Sequence, residues 1–561
     1  MKTKFVLTLF AAVSAVALCA NPLKGWSPTT GDQIRKNPDS VKVDGTSITL
    51  KGNKSGAWYY FCAAGKKGVK GQKIEFTLTA SGKGKVDIGC YEYKSGFNLS
   101  TQQSKALKLT DTPQEIKVVL PVKSNDTTII RPRLTMYAGS EIKITKFNYA
   151  ITGKPAPKVD AVINADRKDF MYKAGETAHF TVVPKVDGKV LTEGTVTIFP
   201  VYNGFPKANL KFDLAKGPVK FDATMDKPGF YRAHIAIQDK NGKYILKRQH
   251  SANVAAAFSP EKIKAGRPAP ADLITYWYGQ YEKMNKEVPA DFKVVKDYKT
   301  NTHHFQWISF ANFGGTRSYC TIAVPLKAKG KLPMVFTVPP AGNYGWGAFK
   351  RSNAIQVTIT VFDRLFPTNA DYMKFNSPVW YFYKGAQSRE TYYYYKAILG
   401  MMRMMDYAMK NVKEWDGKHL AAVGRSQGGG SAFILAALNP KIQCVSADVP
   451  ALCDHNAYDV GRRAGWPQVL RSAPNRSKTF DKDAEYFDAA NFAAFVKCPA
   501  LVTVGFYDSM CEPMSVYAAY NNLKGEKKML NYPRYGHGWG KRDESELNRE
   551  TEKLLKATFA K

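Results

Sequence analysis

Three features are absent from this sequence of 561 residues, and each absence argues against a class of protein. No C-x-x-C pair occurs, which argues against a zinc ribbon or a thioredoxin-type redox centre. The phosphate-binding pattern G-x-x-x-x-G-K-[ST] is also absent, which argues against a P-loop nucleotide site. Beyond the N-terminus, no apolar run reaches the roughly 20 residues that a membrane-spanning helix needs. We therefore expect no metal, no organic cofactor and no stable membrane insertion.

Acidic residues are scarce relative to basic ones. The chain has 47 Asp and Glu against 82 Lys and Arg, a formal net charge of +35. The excess is spread over the whole chain, and no recognisable nucleic-acid-binding motif accompanies it. We therefore expect no nucleic-acid partner, and an acidic or sulfated polysaccharide is the better anionic candidate because dispersed positive charge attracts any polyanion.

The N-terminus has the pattern of a secretory signal peptide over residues 1–20. Two lysines precede an apolar run from Phe5 to Leu18, and small residues follow. The mature protein is predicted to be exported to the periplasm, the extracellular space or the cell surface. Cys19 would allow a lipoprotein anchor, but the bulky Leu18 before it argues against one.

Seven cysteines remain after the signal peptide, an odd number that leaves at least one free thiol. Cys62 and Cys90 could form a disulfide within the N-terminal region, although spacing alone does not establish the pairing.

The sequence predicts three domains after the signal peptide. Residues 21–152 alternate between apolar and polar positions in short segments separated by turns, which indicates an antiparallel β-sandwich. Residues 153–256 begin with the linker "GKPAPK" and continue the pattern over the length of an immunoglobulin-like sandwich. Residues 257–561 alternate buried-type strands with amphipathic helices, which indicates an α/β domain with a mostly parallel sheet.

A candidate nucleophile lies in the third domain. The stretch "AAVGRSQGGGSAFILAALNP" places Ser426 in a G-x-S-x-G pattern between a strand and a helix. In that pattern the glycines permit a sharp turn that exposes the serine oxygen. A tight-packing serine in an ordinary turn is the alternative.

Partners for the serine follow in the order found in α/β-hydrolases. Asp508 comes after the strand "PALVTVGF", and His537 comes after the strand "KKMLNY". A histidine would take the serine proton, and an acid would hold the histidine ring in the required tautomer. Glu512 and Asp448 compete with Asp508 for the role of the acid.

An oxyanion formed during acyl transfer needs preorganised donors. The backbone N–H of Gln427 is the first candidate. The loop "PAGNYGWG" could supply the second, from Tyr344, from Asn343 or from the amides around Gly342.

Residues 257–561 resemble the acetyl xylan esterase and cephalosporin C deacetylase family of carbohydrate esterases. The resemblance rests on "GRSQGGG", on "DVPALCD", and on the Asp-x-x-Cys-x-Pro pattern that starts at Asp508. It implies an α/β-hydrolase fold and a serine deacetylase with Ser426 as nucleophile, Asp508 as acid and His537 as base. It also implies an oxyanion hole from Gln427 and the Pro339–Trp346 loop, and a homo-oligomer unless the N-terminal domains block that packing.

The chain departs from the family pattern twice. It has Lys384-Gly385-Ala386-Gln387 where Arg-Gly-Gln is usual, and His537-Gly538 where His-Glu is common. The first departure puts local packing in doubt and the second removes a charge beside the histidine, but neither removes a catalytic group.

We therefore expect an exported esterase that removes O-acetyl groups from poly- or oligosaccharides, including anionic ones. A serine peptidase or general carboxylesterase on the same fold is one alternative. A non-catalytic polysaccharide-binding protein is the other. Aromatic residues of the first sandwich could stack on sugar rings or fill its core, namely Trp58, Tyr59, Tyr60, Tyr91, Tyr93 and Phe97.

Overall fold

The computed structural model describes residues 22–24, 26–28, 40–52, 58–62, 65–94, 99–124, 127–247, 252–328, 330–343, 349–538 and 544–560. The predicted signal peptide, Phe97 and Tyr344 lie outside these ranges. For Trp58, Tyr59 and Cys62 only the backbone is described. Within the described ranges, no helix is both long enough and apolar enough to cross a bilayer. Contacts divide the chain into two compact units, Met1–Lys158 and Val159–Lys561.

The first unit is built from two antiparallel sheets, with strand orders β1-β4-β10-β7-β8, β5 also pairing with β10, and β2-β3-β11-β6-β9. Its strands are β1 (Trp26–Pro28), β2 (Val41–Asp44), β3 (Ser47–Lys51), β4 (Trp58–Cys62), β5 (Lys66–Lys67), β6 (Lys73–Lys83), β7 (Val86–Tyr93), β8 (Leu99–Ala106), β9 (Gln114–Pro121), β10 (Ile129–Met136) and β11 (Glu141–Thr152). Burial alternates along β6, so that Ile74, Phe76 and Leu78 enter the core. The predicted sandwich is confirmed.

Cys62 and Cys90, whose spacing left a disulfide open, are not paired. Cys90 lies on β7 as a free, buried thiol. Cys62 lies on β4, and β10 separates the two strands. Strands two positions apart are about 9.5 Å from each other, whereas a disulfide needs Cα atoms within about 7 Å.

The second unit begins with another sandwich, whose sheets have the orders β12-β14-β15, with β19 beside β14, and β13-β22-β20-β16-β17, with β18 beside β16 and β21 beside β20. Its strands are β12 (Val159–Ala165), β13 (Met171–Tyr172), β14 (Thr177–Val186), β15 (Lys189–Val190), β16 (Thr195–Tyr202), β17 (Phe205–Pro206), β18 (Leu210–Asp213), β19 (Val219–Thr224), β20 (Gly229–Gln238), β21 (Tyr244–Leu246) and β22 (Ala252–Phe258). Phe180, Tyr231 and Phe258 fill its core. We refer to it as the second sandwich.

The rest of the second unit surrounds a nine-stranded sheet of order β23-β24-β25-β27-β26-β28-β29-β30-β31. The strands are β23 (Lys293–Lys299), β24 (His303–Ala311), β25 (Arg317–Pro325), β26 (Leu332–Thr337), β27 (Ile355–Ile359), β28 (Trp415–Arg425), β29 (Cys444–Asp448), β30 (Ala500–Gly505) and β31 (Lys527–Tyr532). Pairing is antiparallel from β23 to β27 and parallel from β27 to β31. The predicted mostly parallel α/β domain is confirmed.

The helices of this region are α1 (Leu273–Glu287), α2 (Asn369–Phe375), α3 (Tyr393–Asn411), α4 (Gln427–Leu438), α5 (Val469–Ser472), α6 (Phe480–Asp483), α7 (Ala489–Ala493), α8 (Pro513–Asn522) and α9 (Glu544–Phe559). Every residue of α4 is buried, which explains why its sequence is apolar around its whole circumference. Strands β27, β29 and β30 are also buried along their whole lengths, as expected for parallel strands covered on both faces.

Candidate active site

Ser426 occupies a strained turn at the point where β28 ends and α4 begins. Its backbone dihedrals are φ 53° and ψ −120°, a conformation that a residue with a side chain rarely adopts. The turn is held by neighbouring backbone, because the Ser426 N–H donates to the Asp448 carbonyl at 2.8 Å and its carbonyl accepts from Ala451 at 2.9 Å. Strain supported in this way is typical of a functional position.

The glycines around Ser426 are required by close backbone approach. A Cβ at Gly424 would lie 2.1 Å from the Gly428 carbonyl oxygen, and a Cβ at Gly428 would lie 1.9 Å from the Val338 oxygen. A side chain at either position would therefore displace backbone. The G-x-S-x-G pattern thus reflects the packing of the turn against β26 and α4.

Three side chains from separate strand ends meet at this turn. His537 Nε2 lies 3.1 Å from Ser426 Oγ, and His537 Nδ1 lies 2.8 Å from Asp508 Oδ2. Ser426 follows β28, Asp508 follows β30 and His537 follows β31. These strands run parallel, so their carboxyl ends lie at one edge of the sheet and bring the three residues together.

Backbone donors orient the carboxylate of Asp508, which is fully buried. Its Oδ1 accepts the N–H groups of Met510 at 2.8 Å and Cys511 at 3.0 Å, which leaves Oδ2 for His537. Two donors on one oxygen hold the carboxylate plane in a single orientation.

The two competing acids have other partners. Asp448 accepts from Arg425 Nη1 at 2.6 Å and from the Thr503 hydroxyl. Glu512 pairs with Arg232. Of the three candidate acids, Asp508 is therefore the one placed beside the His537 ring.

The Gln427 side chain ties the start of α4 to its surroundings. Its Oε1 accepts from the hydroxyls of Tyr381 at 2.5 Å and Tyr394 at 2.7 Å, and its Nε2 donates to the Pro339 carbonyl at 3.1 Å. Gln427 is the first residue of α4, and the first N–H groups of a helix have no partner within it. The backbone N–H of Gln427 therefore has no acceptor within α4. The second predicted donor, Tyr344, lies outside the described residues.

Sequence reasoning missed Arg425, which supports the histidine. Besides Asp448, its guanidinium donates through Nη2 to the backbone carbonyl of His537. Arg425 occupies the variable position before Ser426, and a charged residue at the end of an apolar strand is the signal that marks it. The consequence is that β28, β29 and the His537 loop are linked through one side chain.

Asp508, Cys511 and His537 form a group whose ligand-type atoms lie within 4.8 Å of one another. The geometry fits proton transfer better than metal binding. Both ring nitrogens of His537 are engaged by Asp508 and Ser426, and burial raises the pKa of the Cys511 thiol well above its usual value. A metal would need the thiolate.

The sequence model of the acetyl xylan esterase family (AXE1) matches residues 260–547, which is more than half of the chain. The chain belongs to the acetyl xylan esterase family. As a member of that family, it is a serine carboxylic-ester hydrolase of the carbohydrate esterase type.

Individual relatives of this acetyl xylan esterase family member are distant. The acetyl esterase Axe7A of Xylanibacter ruminicola is 26% identical over 381 residues, covering 65% of this chain and 84% of the relative. The acetyl xylan esterase from Paenibacillus sp. R4 is 22% identical and covers 53% of this chain and 98% of its own, with a TM-score of 0.45. Acetyl xylan esterase 1 from Thermoanaerobacterium sp. JW/SL YS485 is also 22% identical, covering 53% and 97%, with a TM-score of 0.43.

Proposed function

We propose that this protein is an exported esterase that removes O-acetyl groups from poly- or oligosaccharides through an acetyl-enzyme. The observation that carries the proposal is the chain of hydrogen bonds from Ser426 through His537 to Asp508 at the carboxyl edge of the parallel sheet. Export is inferred from the N-terminal sequence pattern of residues 1–20.

In the proposed reaction, Ser426 Oγ attacks the acetyl carbonyl while His537 Nε2 takes the hydroxyl proton. The Nδ1–H of the ring then points at Asp508 Oδ2, whose negative charge stabilises the imidazolium. The backbone N–H of Gln427 donates to the oxyanion. His537 returns the proton to the sugar oxygen as the sugar leaves, and then activates a water molecule that releases acetate and regenerates the serine.

Residues 21–152 are proposed to be an accessory module that binds the glycan. Two aromatic side chains of the first sandwich support glycan binding. Tyr91 and Tyr93 are half-buried on the face of β7 opposite the core, with ring centroids 6.0 Å apart. Neighbouring rings of this kind can stack on sugars. Tyr60, by contrast, is 5% exposed and packs in the core.

The decisive experiment measures acetate released by residues 21–561 from acetylated xylan and from acetylated anionic polysaccharides, beside Ser426→Ala. We expect turnover by the wild-type protein and a loss of at least about 10⁴-fold in the variant. Ser431→Ala is the matched control, because this buried serine of α4 donates only to the Gln427 carbonyl and should keep activity within about twofold.

Three other outcomes would contradict the proposal. Hydrolysis of peptide amides without deacetylation would indicate a peptidase. Turnover of simple esters but of no acetylated glycan would indicate a general carboxylesterase. Glycan binding that survives Ser426→Ala, with no ester turnover by either protein, would indicate a binding protein.

A further inference from the structure

Arg232 lies on β20 of the second sandwich, outside the residues that the family model matches. Its side chain nevertheless reaches the loop that carries Asp508, residues 506–512, which we refer to as the Asp508 loop. Arg232 Nη1 donates to the Asp508 backbone carbonyl at 2.8 Å and to Glu512 Oε2 at 2.8 Å, while Nη2 donates to Glu512 Oε1 at 3.0 Å. The guanidinium thus connects the Asp508 peptide to Glu512 at the end of the loop.

This contact is buried, which makes it specific. The Glu512 side chain is 0% exposed and the Arg232 side chain is 7% exposed. A buried carboxylate without its partner is unstable, because desolvation disfavours its charge. Burial already raises the pKa of Glu512, and Arg232 opposes that effect. Arg232 is therefore the main group that favours the charged form of Glu512.

The second sandwich contacts the Asp508 loop at a further point. Phe230 lies two residues before Arg232, so both side chains point to the same face of β20. The Phe230 ring packs edge-on against Phe506 with centroids 5.1 Å apart. Phe506 lies at the start of the loop and Glu512 at its end, so Asp508 lies between two contacts with the same strand.

A neighbouring turn of the second sandwich also supports Glu512. The backbone N–H of Arg463 donates to the Asn203 carbonyl at 2.9 Å, and Arg463 Nε lies 3.8 Å from Glu512 Oε1. This contact is longer and half exposed, so it adds charge but does not replace the two-point contact from Arg232.

We propose that Arg232 is a positioning residue for the esterase reaction, and that the second sandwich is therefore part of the catalytic apparatus. This inference rests on the proposed function of Asp508. Arg232 does not touch the reacting atoms. It fixes the Asp508 peptide, and with it the direction in which the carboxylate meets His537. Small displacements of such a group are costly, since a shift of about 1 Å can lower the rate about 100-fold.

Four variants of residues 21–561 separate positioning from stability. For each variant, kcat and KM are measured with an acetylated substrate, and the melting temperature is measured on the protein alone. Arg232→Met removes both contacts and leaves the Glu512 carboxylate buried alone. Arg232→Met combined with Glu512→Leu removes that carboxylate as well, and apolar replacement of a buried ion pair is usually neutral for stability. Arg232→Lys keeps the charge but loses the two-point geometry.

The fourth variant, Arg403→Met, is the matched control. Arg403 is 2% exposed and bonds the Ala311, Met284 and Val288 carbonyls, away from the Asp508 loop. We expect it to lower the melting temperature with kcat unchanged.

For Arg232→Met we expect kcat to fall about 10- to 100-fold, with KM within about twofold and a lower melting temperature. The double variant should regain the wild-type melting temperature while its kcat stays low, and Arg232→Lys should have an intermediate kcat. Recovery of kcat together with stability in the double variant would overturn the inference, as would an unchanged kcat in Arg232→Met. No turnover by the wild-type protein would instead overturn the proposed function, and this inference with it.

Discussion

Replacing Asp508 by asparagine tests the proposed triad without changing the size of the side chain. In the wild-type protein Oδ1 accepts two backbone N–H groups and Oδ2 faces His537 Nδ1. An asparagine has one carbonyl oxygen, which the backbone N–H groups of Met510 and Cys511 would hold. Its NH₂ group would then face the histidine as a donor.

A donor at this position reverses the tautomer of His537. With Nδ1 forced to accept, the ring proton moves to Nε2, which is the nitrogen 3.1 Å from Ser426 Oγ. That nitrogen then has no free lone pair with which to take the serine proton. We expect kcat to fall about 10⁴-fold, which corresponds to about 5.5 kcal/mol of transition-state stabilisation, with little change in KM.

Acetate release under saturating substrate measures this loss, and circular dichroism checks that the variant is folded. Asp448→Asn is the control, because Asp448 bonds Arg425 and Thr503 rather than the histidine ring. It should cost no more than about 10- to 100-fold, because Asp448 holds neighbouring groups without touching the reacting atoms. Activity of Asp508→Asn within tenfold of wild type would refute the assignment. A loss of activity in Asp448→Asn larger than that in Asp508→Asn would also refute it.

Two further predictions concern stability. Burial lowers the pKa of His455 to about 4 from 6.5, so below pH 6.5 the unfolded chain binds a proton that the folded one refuses, and stability falls as pH drops towards 4. The free energy of unfolding of His455→Leu minus that of wild type, measured by urea unfolding, should therefore be about 2 kcal/mol more positive at pH 5 than at pH 8. An equal difference at both pH values would contradict this. Gly428→Ala should abolish folding or lower the melting temperature sharply, because its Cβ would lie 1.9 Å from the Val338 oxygen. Gly279→Ala in α1 should instead stabilise the protein by about 0.5–1 kcal/mol, because its Cβ would have no atom within 4 Å. Similar melting temperatures for the two alanine variants would show that backbone packing at Gly428 is looser than described.

Much of the fold could be predicted from local pattern. The segment "YYYYKAILGMMRMMDYAMKNV" has apolar residues at helical spacing and forms α3, Tyr393–Asn411, with Met401, Met402, Met404 and Met405 buried in the core. Strand alternation likewise predicted both sandwiches. These predictions held because periodic burial is imposed on each segment by its own sequence.

Long-range pairing could not be predicted in the same way. The spacing of Cys62 and Cys90 allowed a disulfide, but the sheet order places β10 between their strands. Tyr60 was one of several aromatics that could have faced solvent, and its position on β4 places it in the core. Strand order depends on contacts between segments distant in sequence, which no local pattern records.

The sequence by itself determined the turn at Ser426, because glycines at positions 424 and 428 and the apolar segments on either side are local requirements. It also determined the order in which Ser426, Asp508 and His537 follow strands. Only the tertiary structure decided which acid meets the histidine, since Glu512 lies in the same loop after β30 as Asp508 but pairs with Arg232. The tertiary structure alone also brought Arg232 of the second sandwich to the Asp508 loop. The buried Glu512 carboxylate needs a charged partner, and that partner comes from a segment distant in sequence.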